Sequence, residues 1–132
     1  MSADVRRPDG WLYVGELTGF PFPPGGARVW RVPPGGGTPD VCATGFTTIV
    51  DIAFDESGNL CVLEFASGIG FPPNTGRLSR LDSCRARTDA DRIPVILSQP
   101  GGVLIGRDGA AYVTNKTLAP SGTGEVLRIP LD

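Results

Sequence analysis

Four polar side chains stand at matched places along the chain, where they could surround a small ligand. Glu16, Glu64 and Asn115 each lie two residues after the valine of a short apolar run, and Asp51 lies inside the apolar run that opens the central part of the chain. Carboxylate and amide oxygens are the ligands that hard divalent cations such as Ca²⁺ prefer. One interpretation of this pattern is therefore a polar circle that holds a divalent cation or a hydroxylated ligand.

The competing interpretation is that these side chains stabilise the fold. A residue that recurs in every repeat more often serves the repeat than a unique site, and each side chain would then accept backbone N–H groups of the loop that follows its strand. We favour this second interpretation. We accordingly expect no resident cofactor, and keep Ca²⁺ or another divalent cation as the alternative.

Several kinds of catalytic site are excluded by residue type. The chain contains no histidine, which removes Ser-His-Asp, Cys-His and His-ligated metal chemistry from this chain alone. It also lacks a P-loop, a nucleotide-binding fingerprint and any metal-spaced set of cysteines and histidines. The sequence thus favours a non-catalytic binding or scaffold module over an enzyme.

Three internal repeats must position these residues. The turn glycines Gly10, Gly58 and Gly109 lie about fifty residues apart. Each is followed by an apolar strand, a Gly/Pro-rich loop and a second strand with an arginine at one fixed place. These arginines are Arg31, Arg80 and Arg128. We expect them to pair with neighbouring strands or to cover apolar surface.

A repeat of about fifty residues with four short antiparallel strands is typical of a β-propeller blade. We therefore predict an all-β half-propeller of about three four-stranded antiparallel blades, at about 1–45, 46–98 and 99–132. The first blade keeps only a remnant, 3–5, of its innermost strand. The second has 94–97 as its outer strand, and the third lacks an outer strand.

Three blades do not close a ring, since propellers typically have four to eight. A free half-ring would expose two apolar blade faces, a larger patch than soluble monomers usually show. We predict that two copies form a six-bladed homodimer, in which the partner's N-terminal segment supplies the missing outer strand. The alternatives are one half of a longer propeller, one of two different chains, and a designed or excised fragment.

The Gly/Pro loops gather on one face of this arrangement, and loops on a rigid scaffold are where binding residues concentrate. Phe20, Phe22 and Phe71 lie in two of these loops. They could line a recognition surface for a small polar ligand. The interpretation that we favour is that they fold back over the blade edges and cover the core.

Charge and apolar patterning limit the partners and the compartment. The net charge of −2 and the lack of a basic stripe argue against nucleic acid, and no apolar run is long enough to span a bilayer. The N-terminal residues have no apolar core, so we expect no signal peptide there. We predict three reduced cysteines, with a Cys42–Cys84 bridge as the alternative.

Four segments of the chain resemble the ScyD/ScyE family: DGWLYVGELTGFPFP at 9–23, GARVWRV at 26–32, ATGFTTIVDIAF at 43–54 and GTGEVLRI at 122–129. More loosely, each unit resembles an NHL-type propeller repeat. The resemblance implies a β-propeller fold, usually with a signal peptide, and the chain has about half of a full-length member. Lactonase-like six-bladed propellers bind a metal in the central channel through acid and amide side chains. A metal-dependent lactonase or hydrolase is therefore the alternative function.

Overall fold

A computed structural model describes residues 2–6, 10–17, 23–67 and 74–131. Within these ranges the chain is all-β, with three antiparallel sheets and one 3-10 turn at Asp89–Asp91. The first sheet contains β1 (Ser2–Arg6), β2 (Leu12–Glu16), β3 (Ala27–Val32) and β4 (Asp40–Phe46). The second contains β5 (Ile49–Phe54), β6 (Leu60–Glu64) and β7 (Arg77–Leu81). The third contains β8 (Gly102–Ile105), β9 (Ala111–Asn115) and β10 (Glu125–Ile129).

The turns between the first and second strands of the last two sheets depend on glycine. Gly58, between β5 and β6, has φ +83°, and Gly109, between β8 and β9, has φ +81°. Side chains with a Cβ rarely adopt this backbone conformation. Before Gly58, one carboxylate oxygen of Asp55 accepts the N–H groups of Ser57 and Asn59, at 3.0 and 2.8 Å. The turns predicted from the repeat are thus confirmed.

The second sheet is covered on both faces. In β6 the side chains of Leu60 and Val62 pack toward the first sheet, whereas those of Cys61 and Leu63 pack toward the third. This division follows from the two-residue period of a strand. All five residues of β6 are buried, so the central strand of the second sheet forms the middle of the core.

The sheets are arranged side by side through their first strands. β5 contacts β1 on one side and β8 on the other. The first sheet approaches the second closely at Gly15, where a Cβ atom would lie 2.7 Å from a methyl group of Ile49. Because no real Cβ tolerates that distance, a side chain at this position would force the two sheets apart.

Two strand predictions are wrong. Ser2–Arg6 is a complete strand that pairs with β2 over five positions, rather than a remnant at 3–5. The predicted outer strand at 94–97 is not continuous, and only isolated bridges join Arg92 to Ser79 and Leu97 to Gly76. Pro94 explains the interruption, since proline has no N–H to donate to a ladder. In the third sheet, β10 is the last described strand on its side.

The expectation of three reduced cysteines is also wrong. Cys42 on β4 forms a disulfide with Cys84, which follows β7, so the alternative considered for the sequence is the one observed. The segment around Cys84 runs beside β4, where the N–H of Arg87 donates to the carbonyl oxygen of Thr44 at 3.0 Å. The disulfide therefore links the outer sides of the first two sheets. Cys61 is a free, buried thiol.

Candidate functional site

The three polar residues predicted for a ligand circle end the middle strands of the three sheets. Glu16, Glu64 and Asn115 are the last residues of β2, β6 and β9. Each contacts a residue at the start of the following strand, because the antiparallel register places these two ends side by side. The pairs are Glu16 with Arg28, Glu64 with Arg77 and Asn115 with Glu125.

Glu64 makes the most extensive of these contacts. Its side chain is fully buried, and its two oxygens accept from Nε and Nη2 of Arg77 at 2.6 and 2.8 Å. One of them also accepts the backbone N–H of Thr47 at 2.8 Å. A two-point Arg–carboxylate contact is strong and directional. The carboxylate that the sequence offered as a ligand thus holds the start of β7 and the link before β5.

Glu16 and Asn115 are engaged in related ways. Glu16 accepts both the backbone N–H and Nε of Arg28, at 2.9 and 2.8 Å, but this pair is largely exposed. Asn115 accepts the backbone N–H of Ser98 at 2.8 Å and donates its amide to Glu125 at 2.9 Å. Asn115 therefore stabilises the link before β8, as Glu64 stabilises the link before β5.

Each of the three side chains accepts a backbone N–H, but none of these donors lies in the segment that we predicted. We expected each side chain to bind the loop that follows its strand. Glu64 and Asn115 instead bind Thr47 and Ser98, which precede the first strands of their sheets. Glu16 accepts from Arg28, which lies beyond that loop on β3.

Asp51 connects the second and third sheets. One oxygen accepts the N–H of Ile52, the next residue, at 2.9 Å, and the other accepts the N–H of Val103 on β8 at 2.9 Å. Both oxygens are therefore directed at backbone donors. Among the described residues, the structure brings no three Cys, Asp or Glu side chains together in a way that could hold a metal ion.

The three aromatic residues of the predicted recognition surface, Phe20, Phe22 and Phe71, lie outside the described residues. Their role stays a prediction. An open cavity that borders the β9–β10 connection has a volume of about 450 Å³ and is lined by small, apolar and polar residues. These include Lys116, Thr117 and Ser121.

The recurring arginines pair with acids, although we expected them to pair with neighbouring strands or to cover apolar surface. Arg31 lies 3.6 Å from a carboxylate oxygen of Asp40 and stacks over Trp11. Arg128 donates to Asp108 at 2.9 Å. Hydrogen bonds from Tyr112 and Arg128 lower the pKa of Asp108 to about 2.

Arg80 joins the second sheet to the end of the chain. Its Nε donates to Asp55 at 2.7 Å and its Nη1 to the carbonyl oxygen of Leu131. Burial on its own would raise the pKa of Asp55, but hydrogen bonds from Asn59 and Arg80 outweigh it and lower that pKa. Arg80 therefore has a structural role in this protein, like the other two recurring arginines.

The sequence did not identify a second group of arginines. Arg77, Arg87 and Arg92 lie near one another on the outer side of the second sheet, beside a cavity that Arg77 and Arg92 line. They come from the start of β7 and from the segment after it. Because that segment alternates in charge, it was interpreted as a solvated connection, and no pattern in it predicted that Arg87 would be buried.

Comparison with known proteins assigns this chain to no family. Neither the protein-family models nor the curated proteins include one that matches this chain. No helix among the described residues is long and apolar enough to cross a membrane.

Proposed function

We propose that this chain is a non-catalytic binding or scaffold module that forms half of a six-bladed β-propeller and closes its ring with a second copy of itself. The observation that carries the proposal is an asymmetry of burial. The second sheet has both faces covered, whereas the first and third sheets each have one face covered by the second. Their other faces carry apolar side chains.

The uncovered face of the first sheet has an apolar row across three strands. Val14 on β2, Trp30 on β3 and Val41 on β4 are aligned by the strand register. They point away from the core because their neighbours in sequence, Tyr13 and Val29, pack toward the second sheet. Val41 is 42% exposed. The row is an apolar surface that a partner could cover.

The third sheet has a similar uncovered face. Leu104 on β8 is 68% exposed and Val126 on β10 is 66% exposed. The register places Leu104 beside Tyr112 and Val126 beside Thr114 on the face opposite the buried Val113. An exposed patch of large apolar side chains is typical of a surface that binds another protein.

A second copy fits both faces at once. Each chain has one face of each kind at opposite ends of a row of three sheets. Packing the third sheet of each copy against the first sheet of the other covers all four faces and produces six sheets in a closed, two-fold arrangement. We propose blades for the three sheets on this reasoning, together with the side-by-side arrangement of their first strands.

One detail of the expected dimer changes. The residues Ser2–Arg6 pair along their whole length with β2, so this segment is not free to add a strand outside β10 of a partner. Ring closure in this proposal depends on contacts between sheet faces.

The hydrogen bonds and ion pairs of the acidic residues favour a non-catalytic role over a lactonase or hydrolase. Both oxygens of Asp51 and of Glu64 accept hydrogen bonds, and Glu16 is paired with Arg28. A carboxylate that acts as a metal ligand or as a general base needs an oxygen that is free to face the metal or the substrate. We place the chain with ScyD/ScyE-like propellers as part of the same proposal, on the four sequence segments that resemble that family.

The experiment that tests the proposal is the solution mass measured by light scattering on a sizing column. We expect a dimer of twice 13.8 kDa. Leu104→Glu should give a folded monomer, because a charge on the uncovered face cannot be buried against a partner. Two matched controls, Ile96→Glu and Leu118→Glu, alter apolar residues that are 70% and 67% exposed but lie outside both faces. A wild-type monomer, or dimers in all variants, would exclude face-to-face closure.

A further inference from the structure

A cavity of about 240 Å³ lies at the start of β7 and is bordered by Ser67 and Asn74. Its described lining is mainly polar and contains Asp89 as well as the arginines Arg77 and Arg92. Nε and Nη2 of Arg77 are bound by Glu64. The side chain of Arg92 makes no hydrogen bond or ion pair with the described part of the chain. The wall of the cavity thus contains one guanidinium group that is paired with a carboxylate, Arg77, and one that has no such partner in the described part of the chain, Arg92.

A third cation lies behind this wall. The side chain of Arg87 is only 6% exposed, and its Nη2 is buried without a hydrogen-bond partner among the described residues. Its Nε donates to the hydroxyl of Ser79 at 3.2 Å. Burial, followed by the charge of Arg77, lowers the pKa of Arg87. A buried guanidinium with an unpaired nitrogen is a costly arrangement. Arg87 does not line the cavity, so an anion there would offset its positive charge without contacting that nitrogen.

The charges around the cavity do not balance. Three guanidinium groups face two carboxylates, those of Glu64 and Asp89. The side chain of Asp89 is fully exposed, and its oxygen lies 3.5 Å from Nη1 of Arg87. The cluster therefore has an excess of one positive charge, close to a space that is large enough for a small group.

We propose that this cavity binds a small oxyanion, that is, a carboxylate, sulfate or phosphate group. Arg92 contacts the anion directly, and Arg77 and Arg87 add positive charge from the wall and from behind it. Guanidinium groups suit this role because their planar set of donors matches the oxygens of such anions. The proposal concerns the second sheet alone and does not depend on ring closure.

Isothermal titration of the protein with sodium sulfate, sodium phosphate and sodium acetate tests this inference, with sodium chloride at equal ionic strength as the reference. We expect saturable binding that chloride does not reproduce. A preference for acetate would identify a carboxylate ligand, and a preference for sulfate or phosphate a tetrahedral one. Arg92→Gln should weaken binding roughly tenfold or more, as expected for the loss of a charged hydrogen bond.

Two further variants separate a specific site from a general effect of charge. Asp89→Asn removes the carboxylate that competes for Arg87 and should tighten binding. Arg107→Gln, which removes an exposed charge from the turn between β8 and β9, should leave the affinity unchanged. In amide NMR spectra the anion should shift the signals of Gly76, Arg77 and Arg92. Non-saturable binding, or equal affinities in the wild type and all three variants, would overturn the proposal.

Discussion

One carboxylate oxygen of Asp51 on β5 accepts the backbone N–H of Val103 on β8 over 2.9 Å. The first strands of the second and third sheets are thereby connected by a side chain, since no ladder joins them. A Cβ at Gly102 would lie 3.5 Å from the same oxygen, which is an ordinary van der Waals distance, so the contact does not depend on glycine at this position. A residue that the sequence offered as a channel ligand thus holds two sheets together.

Asp51→Ala should lower the free energy of unfolding by about 1–3 kcal/mol, because it leaves the N–H of Val103 without its acceptor. Urea denaturation measures the change as a lower midpoint with an unchanged slope. The control is Asp82→Ala, whose side chain is 78% exposed and contacts the side chains of Arg85 and Ser83. Its effect should stay within about 0.5 kcal/mol. Equal losses in the two variants would contradict the role of Asp51.

Glu64→Gln should be far more damaging than Glu16→Gln, although both residues end equivalent strands and pair with an arginine. Breaking a buried ion pair from one side costs about 3–5 kcal/mol, because the remaining charge is left without compensation. An exposed pair such as Glu16–Arg28 contributes about 0–1 kcal/mol. Denaturation of the two variants under the same conditions measures the difference.

A second variant distinguishes loss of the pair from loss of a metal ligand. Replacing Glu64 and Arg77 together by leucine removes both charges, and should recover part of the stability lost in Glu64→Gln. If Glu64 bound a divalent cation instead, the double variant would be no more stable than the single one, and chelation would destabilise only the wild type.

The elements that local patterns control were predictable. The turn glycines, and the alternation that buries Leu60 and Val62 on one face and Cys61 and Leu63 on the other, follow from short-range rules. About three four-stranded units were expected, the third without its outer strand, and three antiparallel sheets are observed, of four, three and three strands.

The features that depend on register or long-range packing were not predictable. Arg77 reaches Glu64 only because the register of β6 and β7 places their ends together. Arg87 is buried because the segment after β7 runs back beside β4. The Cys42–Cys84 disulfide joins the same segment to β4. One error was avoidable: Pro94 lies inside the predicted outer strand, where its missing N–H already argued against a continuous ladder.

Removal of the disulfide should destabilise the protein and loosen the segment after β7. Replacing Cys42 and Cys84 together by alanine opens a link between residues 42 positions apart. We expect a loss of about 2–4 kcal/mol in the free energy of unfolding. A dithiol reductant should lower the stability of the wild type by a similar amount and leave the double variant unaffected. A Cys61→Ala variant should respond to the reductant as the wild type does.

The free thiol of Cys61 should be unreactive until the protein unfolds. Burial, and then the negative charge of Asp55, raises its pKa to about 12, so almost no thiolate exists at pH 8. Labelling with a disulfide reagent should therefore follow global unfolding as denaturant is added. Cys42→Ala is the matched comparison, because it frees the exposed thiol of Cys84, which should react at once while Cys61 stays protected.

The raised pKa of Cys61 makes the free energy of unfolding depend on pH. Because the folded state retains its proton at Cys61 above the ordinary thiol pKa of 9.0, the stability that this thiol contributes is complete below pH 9.0. It falls as the pH rises toward 12. Cys61→Ala should remove that part of the alkaline loss, which parallel denaturation curves at pH 8 and pH 10 would reveal. Equal alkaline losses in both proteins, or rapid labelling of native Cys61, would show that the thiol is accessible to water.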